Sequence, residues 1–243
     1  MIFQRVGPAL AILLVASPVF AGHGATDLNS HRATPGIKIE LIELPPGQGG
    51  GTVQYRLRST GVPRDVTFDV WAKDFRQPFR EIASGFRIDA AGALVSIDLN
   101  GGRPQRLDAM ALSPGPYPRG AAWEVALVSI DRAITAFARV IPHPIVARDG
   151  PCTVYLELAS ARGERFVASG TGFVPGDDVV VESQFSGQVN RRPLRVTEEG
   201  MLPPDDISHA PIGPDRSARY AVKGRACEVT LEYRWGAPAL QRR

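Results

Sequence analysis

Ile37-Lys38-Ile39-Glu40-Leu41 alternates apolar and charged side chains, one residue to each face. A period of two is the signature of a strand with one dry and one wet face. Two further segments repeat it. Val53, Tyr55 and Leu57 alternate with Gln54, Arg56 and Arg58, and Val66, Phe68 and Val70 alternate with Thr67 and Asp69. Working outward, strands are expected at Phe86 to Ile88, Leu94 to Leu99, Leu107 to Leu112, Trp123 to Ile130 and Ala133 to Ile141. Asp131-Arg132 joins the last two as a hairpin. Asp74 to Ala83 is the best short helical candidate, weakened by Pro78. Short strands at this spacing predict a β-sandwich over residues 37–147, with its strands ending near Ile141.

Pro142 and Pro144 flank His143 and restrict the backbone to an extended link. A second sandwich is expected over residues 148–243. Its strands are Cys152 to Leu158, Phe166 to Ser169, Asp178 to Ser183, Pro193 to Val196, Ala218 to Val222 and Cys227 to Tyr233. The fold class is therefore all-β: two consecutive immunoglobulin-like or fibronectin-like sandwiches. Glycine (25) and proline (21) are abundant enough to supply the turns but too few for a low-complexity chain.

The first 21 residues read as a secretory signal peptide. Arg5 precedes the apolar run Val6 to Phe20, and Val19-Phe20-Ala21 has the small-residue pattern of a cleavage site. The run is too short to span a bilayer, and no later stretch is long enough, so no membrane insertion is expected after cleavage. Residues 22–36 are polar and aperiodic and are expected to be a disordered lead-in. Export makes Cys152 and Cys227 a disulfide, because two free thiols are out of place in an oxidising compartment. They open the first and last strands of the second unit. The bridge would close a 75-residue span, worth roughly 4 kcal/mol by loop entropy.

The segment Ser169-Gly170-Thr171-Gly172-Phe173-Val174-Pro175-Gly176-Asp177, followed by Thr197-Glu198-Glu199-Gly200, resembles bacterial immunoglobulin-like modules. In those a G-x-G-F-x-P-G-[DE] segment links two strands and a D-x-x-G turn lies downstream. Thr197 stands where the aspartate would be. The resemblance implies a sandwich for about 80 residues and little about function. The mature chain, ending in Glu232-Tyr233-Arg234-Trp235-Gly236, is also similar to secreted bacterial proteins that bring no catalytic residues to transfer.

A net charge of +3, with 25 arginines spread along the chain, points to no nucleic-acid partner. The four histidines, His23, His31, His143 and His209, lack ligand spacing, so no metal and no cofactor are expected. Ala168-Ser169-Gly170-Thr171-Gly172 lacks the first glycine of a serine nucleophile elbow. Asp69 with Asp74, Asp177 with Asp178, and Asp205 with Asp206 are the acidic candidates, and adjacent aspartates at strand–turn boundaries are of the kind that cap turns. No catalytic residue is assigned. Trp71, flanked by Asp69 and Lys73, has the opposite parity to Phe68 and Val70 and is the best hint of an outward binding surface. Trp123 and Trp235 could extend an aromatic platform.

The leading reading is a secreted or periplasmic, non-catalytic binding or structural module with a protein or polysaccharide partner. Two others stay open: a carbohydrate- or peptide-binding protein using exposed aromatics, and a hydrolase with a carboxylate pair in the interdomain cleft.

Overall fold

The computed structural model describes residues 28–45, 52–96, 104–210 and 214–242. The signal segment, His23, residues 46–51 and Ile97 to Leu99 lie outside the described residues. The strands are β1 (Lys38–Glu43), β2 (Tyr55–Thr60), β3 (Phe68–Lys73), β4 (Arg80–Ile88), β5 (Leu94–Ser96), β6 (Trp123–Ser129) and β7 (Thr135–Val140). They continue with β8 (Ile145–Asp149), β9 (Cys152–Leu158), β10 (Arg165–Thr171), β11 (Asp178–Phe185), β12 (Gln188–Arg195), β13 (Leu202–Ser208), β14 (Ser217–Lys223) and β15 (Glu228–Arg234). Two 3-10 turns, Leu107–Ala109 and Ala237–Leu240, are the only helical elements among the described residues. The fold is all-β.

Two sheet pairs follow one another along the chain. In the first, β1-β2 accompanies β5-β4-β3-β6-β7; in the second, β13-β10-β9-β8 accompanies β12-β11-β14-β15. Counting the second pair from β9, each pair has a central order of fourth, third, sixth, seventh strand in one sheet and first beside second in the other, with β8 an extra edge strand of the second pair. That is an immunoglobulin- or fibronectin-like Greek key. Inward residues of both sheets make the core: Tyr55, Leu57, Phe68, Val70, Val125 and Leu127 in the first pair, and Val154, Leu156, Val179, Val181, Tyr220 and Val229 in the second. Each such side chain contributes roughly 1.5–3 kcal/mol by leaving water.

Four expectations are corrected. Asp74 to Ala83 is not helical. The Asp74 carboxylate accepts the Arg76 amide at 2.7 Å in a tight turn, and β4 starts at Arg80 to pair with β3. That turn satisfies the amides a helix start would need, and Pro78 blocks the helical ladder. Leu107 to Leu112 is not a strand. It winds into the 3-10 turn, and only Leu112 bonds a strand, exchanging two 2.8 Å backbone bonds with Tyr55. The lead-in is ordered from Leu28 onward. Leu28 is buried, and Thr34 and Arg32 bond Thr135 at the start of β7. An apolar side chain in a polar stretch sufficed to anchor it. Finally, β8 and β13 are strands that were not anticipated. Pro203 and Pro204 disguise β13, yet it is the outer strand of its sheet and the β10 ladder shifts register opposite them. Outer strands and bulges are where proline is tolerated.

Candidate functional site

Trp71 sits on the outer face of the five-stranded sheet, as its parity requires, but that face is covered. Its side chain is 4% exposed and packs with Leu28, Phe79, Ala126 and Val128. The indole is therefore no platform. Asp69 accepts the Gly85 amide at 2.9 Å where β4 bulges. Lys73 donates to Asn29 at 2.7 Å and lies 5.6 Å over the Phe79 ring. Trp71 and Lys73 fasten the lead-in to the sheet, and Asp69 holds the β4 bulge. Beside them a shallow hollow of about 310 Å³ is rimmed by Ile130 and Arg132. Trp123 and Trp235 are also buried, so the exposed tryptophan platform is not formed.

Cys152 and Cys227 are bonded, with Cα atoms 6.3 Å apart. The bridge ties the start of β9 in one sheet to the residue before β15 in the other. The glycine-rich motif forms the same end of this sandwich. Gly172 has φ +83°, and a Cβ there would lie 2.0 Å from the Pro151 carbonyl oxygen, so only glycine fits. Phe173 is buried, and its amide donates to the Gly200 carbonyl at 3.1 Å. Thr197 does the work of the missing aspartate. Its hydroxyl accepts the Glu199 and Met201 amides at 3.3 and 3.2 Å.

The sheet pairs meet through built contacts. Ala121 and Leu158 form a parallel bridge. Leu158 donates to the Gly120 carbonyl and Gly120 to the His143 carbonyl, each at 2.8 Å. Gly120 has φ +75°, and a Cβ there would sit 3.0 Å from Ile145. Pro118 bridges to Arg242. Arg139 on β7 pairs with Glu124 at 3.8 Å and with Glu157 on β9.

Around this junction opens a groove of about 480 Å³. Arg119 enters it from the first pair, and Arg219, Arg234, Phe185, Tyr233 and Asp215 from the second. Sequence reading missed it because these arginines are up to 115 positions apart, and only the strand register and the junction bring them together. The Asp215 carboxyl is held below its usual range by the Ser217 backbone amide and hydroxyl. Behind the groove lies His209. Its Nε2 is 2.9 Å from the Tyr233 hydroxyl, and the rings of Phe185, Trp235, Tyr233 and Phe166 stand 4.7 to 6.0 Å away. Burial pulls its pKa down to about 4, and burial raises the Tyr233 hydroxyl above its usual value.

The carboxylates are committed to structural partners. Asp177 accepts the Arg225 amide at 3.0 Å. Asp178 pairs with Arg195 at 3.1 Å and Asp206 with Arg165 at 3.3 Å. Asp205 accepts the Tyr220 hydroxyl at 2.8 Å and pairs with Arg192. In the interdomain cleft, Glu124 and Glu157 share Arg139. His143 and His31 each keep one ring nitrogen buried without a partner. Among the described residues no three His, Cys, Asp or Glu side chains converge as metal ligands. No helix among them is long and apolar enough to cross a membrane.

No protein-family model matches the chain, and no curated protein matches it. Among solved structures it is similar to a tetra-tandem repeat in the extending region of a large adhesion protein, at 12% identity and a TM-score of 0.26. That match covers 83% of this chain and 49% of the other, so the chain spans about half its length. It is also similar to the chicken CNTN1 FN1–FN3 domains, at 12% identity and a TM-score of 0.23, covering 82% of this chain and 64% of that one. At those scores the fold assignment rests on the strand order above.

Proposed function

We propose that this chain is an exported, non-catalytic binding or structural module of the bacterial immunoglobulin-like kind, working in the periplasm or outside the cell. Its two sandwiches, expected over residues 37–147 and 148–243, divide at Ile145, where β8 joins the second sheet pair, and the junction holds them in one pose. A protein or polysaccharide partner is engaged at the junction groove. The observation that carries this reading is the groove itself. Its lining comes from both sheet pairs, and Arg119 has no protein partner among the described residues. A guanidinium left with unused donors over an aromatic wall is equipped for recognition.

Three features support the wider reading. The disulfide fits an oxidising compartment. The signal-like leader supplies a route there. The candidate aspartate pairs are spent on arginines, a tyrosine and turn amides, which leaves them better suited to structure than to acid–base chemistry. The test uses immobilised full chain against periplasmic and secreted fractions, beside the Arg119→Ala/Arg234→Ala variant. A partner retained by the parent and lost by the folded variant is expected. Equal retention by both would move the interaction off the groove.

A further inference from the structure

A second pocket lies at the open edge of the second sandwich, between β12 and β13, the outer strands of its two sheets. Its volume is about 280 Å³. The space between two sheets is ordinarily filled by apolar side chains. Here one wall is polar. Ser183 and Asn190 stand directly opposite each other in the β11–β12 register, and Val181 stands opposite Arg192. Asp205 faces them from β13, almost fully buried, and bonds both Tyr220 and Arg192. Phe185 and Ile207 supply the apolar remainder. A buried carboxylate is a poor way to gain stability, since desolvation cancels much of its attraction to the part-exposed Arg192. At a pocket wall it instead fixes an oriented acceptor beside an oriented donor.

The charge balance narrows the ligand. Asp205 is already paired with Arg192 and Asp206 with Arg165, so a free cation finds no uncompensated carboxylate. An anion likewise finds Arg192 already engaged by Asp205. A wholly apolar ligand would strand the Ser183 hydroxyl and Asn190 amide, which have no protein partner among the described residues. The volume falls just under the range of about 300–1,000 Å³ that holds larger ligands. We propose that this intersheet pocket binds a small neutral polyhydroxyl ligand, a single pyranose or cyclitol ring. Adjacent hydroxyls would bond the Asp205–Arg192 pair and the Ser183–Asn190 pair, and the ring face would lie on Phe185. This site is independent of the junction groove, although Phe185 contributes to both.

The test is amide NMR on the ¹⁵N-labelled full chain, with D-glucose, D-galactose, D-mannose and myo-inositol each titrated to tens of millimolar. At least one should move the Ser183, Asn190 and Ile207 amides saturably. Ser183→Ala and Asn190→Ala lie at the pocket mouth and should keep the parent melting temperature while weakening that probe by roughly tenfold, the scale of one or two lost hydrogen bonds. Asp205→Asn should abolish it, and the two mouth variants decide the matter if that protein does not fold. The proposal is overturned if no probe moves these amides, if both mouth variants bind like the parent, or if the shifts map to Arg119 and Arg234. The last result would leave the groove reading intact.

Discussion

The two sheet pairs share a strand order but treat their outer faces in opposite ways. The five-stranded sheet of the first pair is dry on both sides at its centre, over β3 and β6, because residues from Leu28 to Thr34 strap across Trp71, Phe79 and the β7 edge. The corresponding sheet of the second pair is wet outside. There Arg191 and Glu182, Arg195 and Asp178, and Lys223 and Glu228 stand opposite each other at ladder positions and pair across the strands. The outer strand of the facing sheet differs too. It is a full β13 in the second pair and a single bridge at Leu112 in the first. The second pair adds the disulfide, while the first relies on its strap. One wiring is thus stabilised by a covalent tie in one place and by a second apolar layer in the other.

Trp71→Ala should break the strap. Emptying a buried indole costs about 3–5 kcal/mol, measured by denaturant unfolding. A loss below about 0.5 kcal/mol, the scale of surface changes, would mean that the indole is exposed after all. Cys152→Ser/Cys227→Ser should cost the second pair roughly 4 kcal/mol on the loop-entropy scale, with tryptophan burial in the first pair retained. Coincident loss of both would show that the pairs unfold as one. His209 sharpens the contrast by pH. Its folded pKa is lowered from 6.5 to about 4, so its neutral form is the one the fold stabilises. That contribution is complete above about pH 6.5 and falls away toward pH 4, by roughly 3 kcal/mol at most. His209→Gln should flatten stability over that window, and an unchanged slope would place the acid sensitivity elsewhere. The smallest effect belongs to Glu157→Gln. Its part-exposed pair with Arg139 is worth about 0.2–1 kcal/mol, and its loss should diminish further in high salt.

Much of the fold was legible because strand alternation is written residue by residue. Ile39, Tyr55, Phe68, Val125 and Val154 are buried where their parity placed them. The disulfide followed from compartment and strand position together. What stayed hidden depended on partners distant in sequence. Trp71 carries the correct face, but whether that face is wet depends on Leu28, 43 positions earlier. The prolines of β13 read as a break because edge position is a property of the sheet, not of the segment. Arg119, Arg219 and Arg234 look scattered in one dimension and converge only when the junction folds. The Asp205–Arg192–Tyr220 set likewise joins three strands of two sheets.

The central claim is that the junction makes the two sheet pairs one body, so that the groove has a fixed shape. Backbone ¹⁵N relaxation on the full chain measures this directly. A single rotational diffusion tensor should fit amides of β1 to β7 and of β8 to β15 alike, and Gly120→Val, which drives a side chain into Ile145, should split them. Two separate correlation times in the parent protein would contradict the claim and leave the groove without a defined geometry.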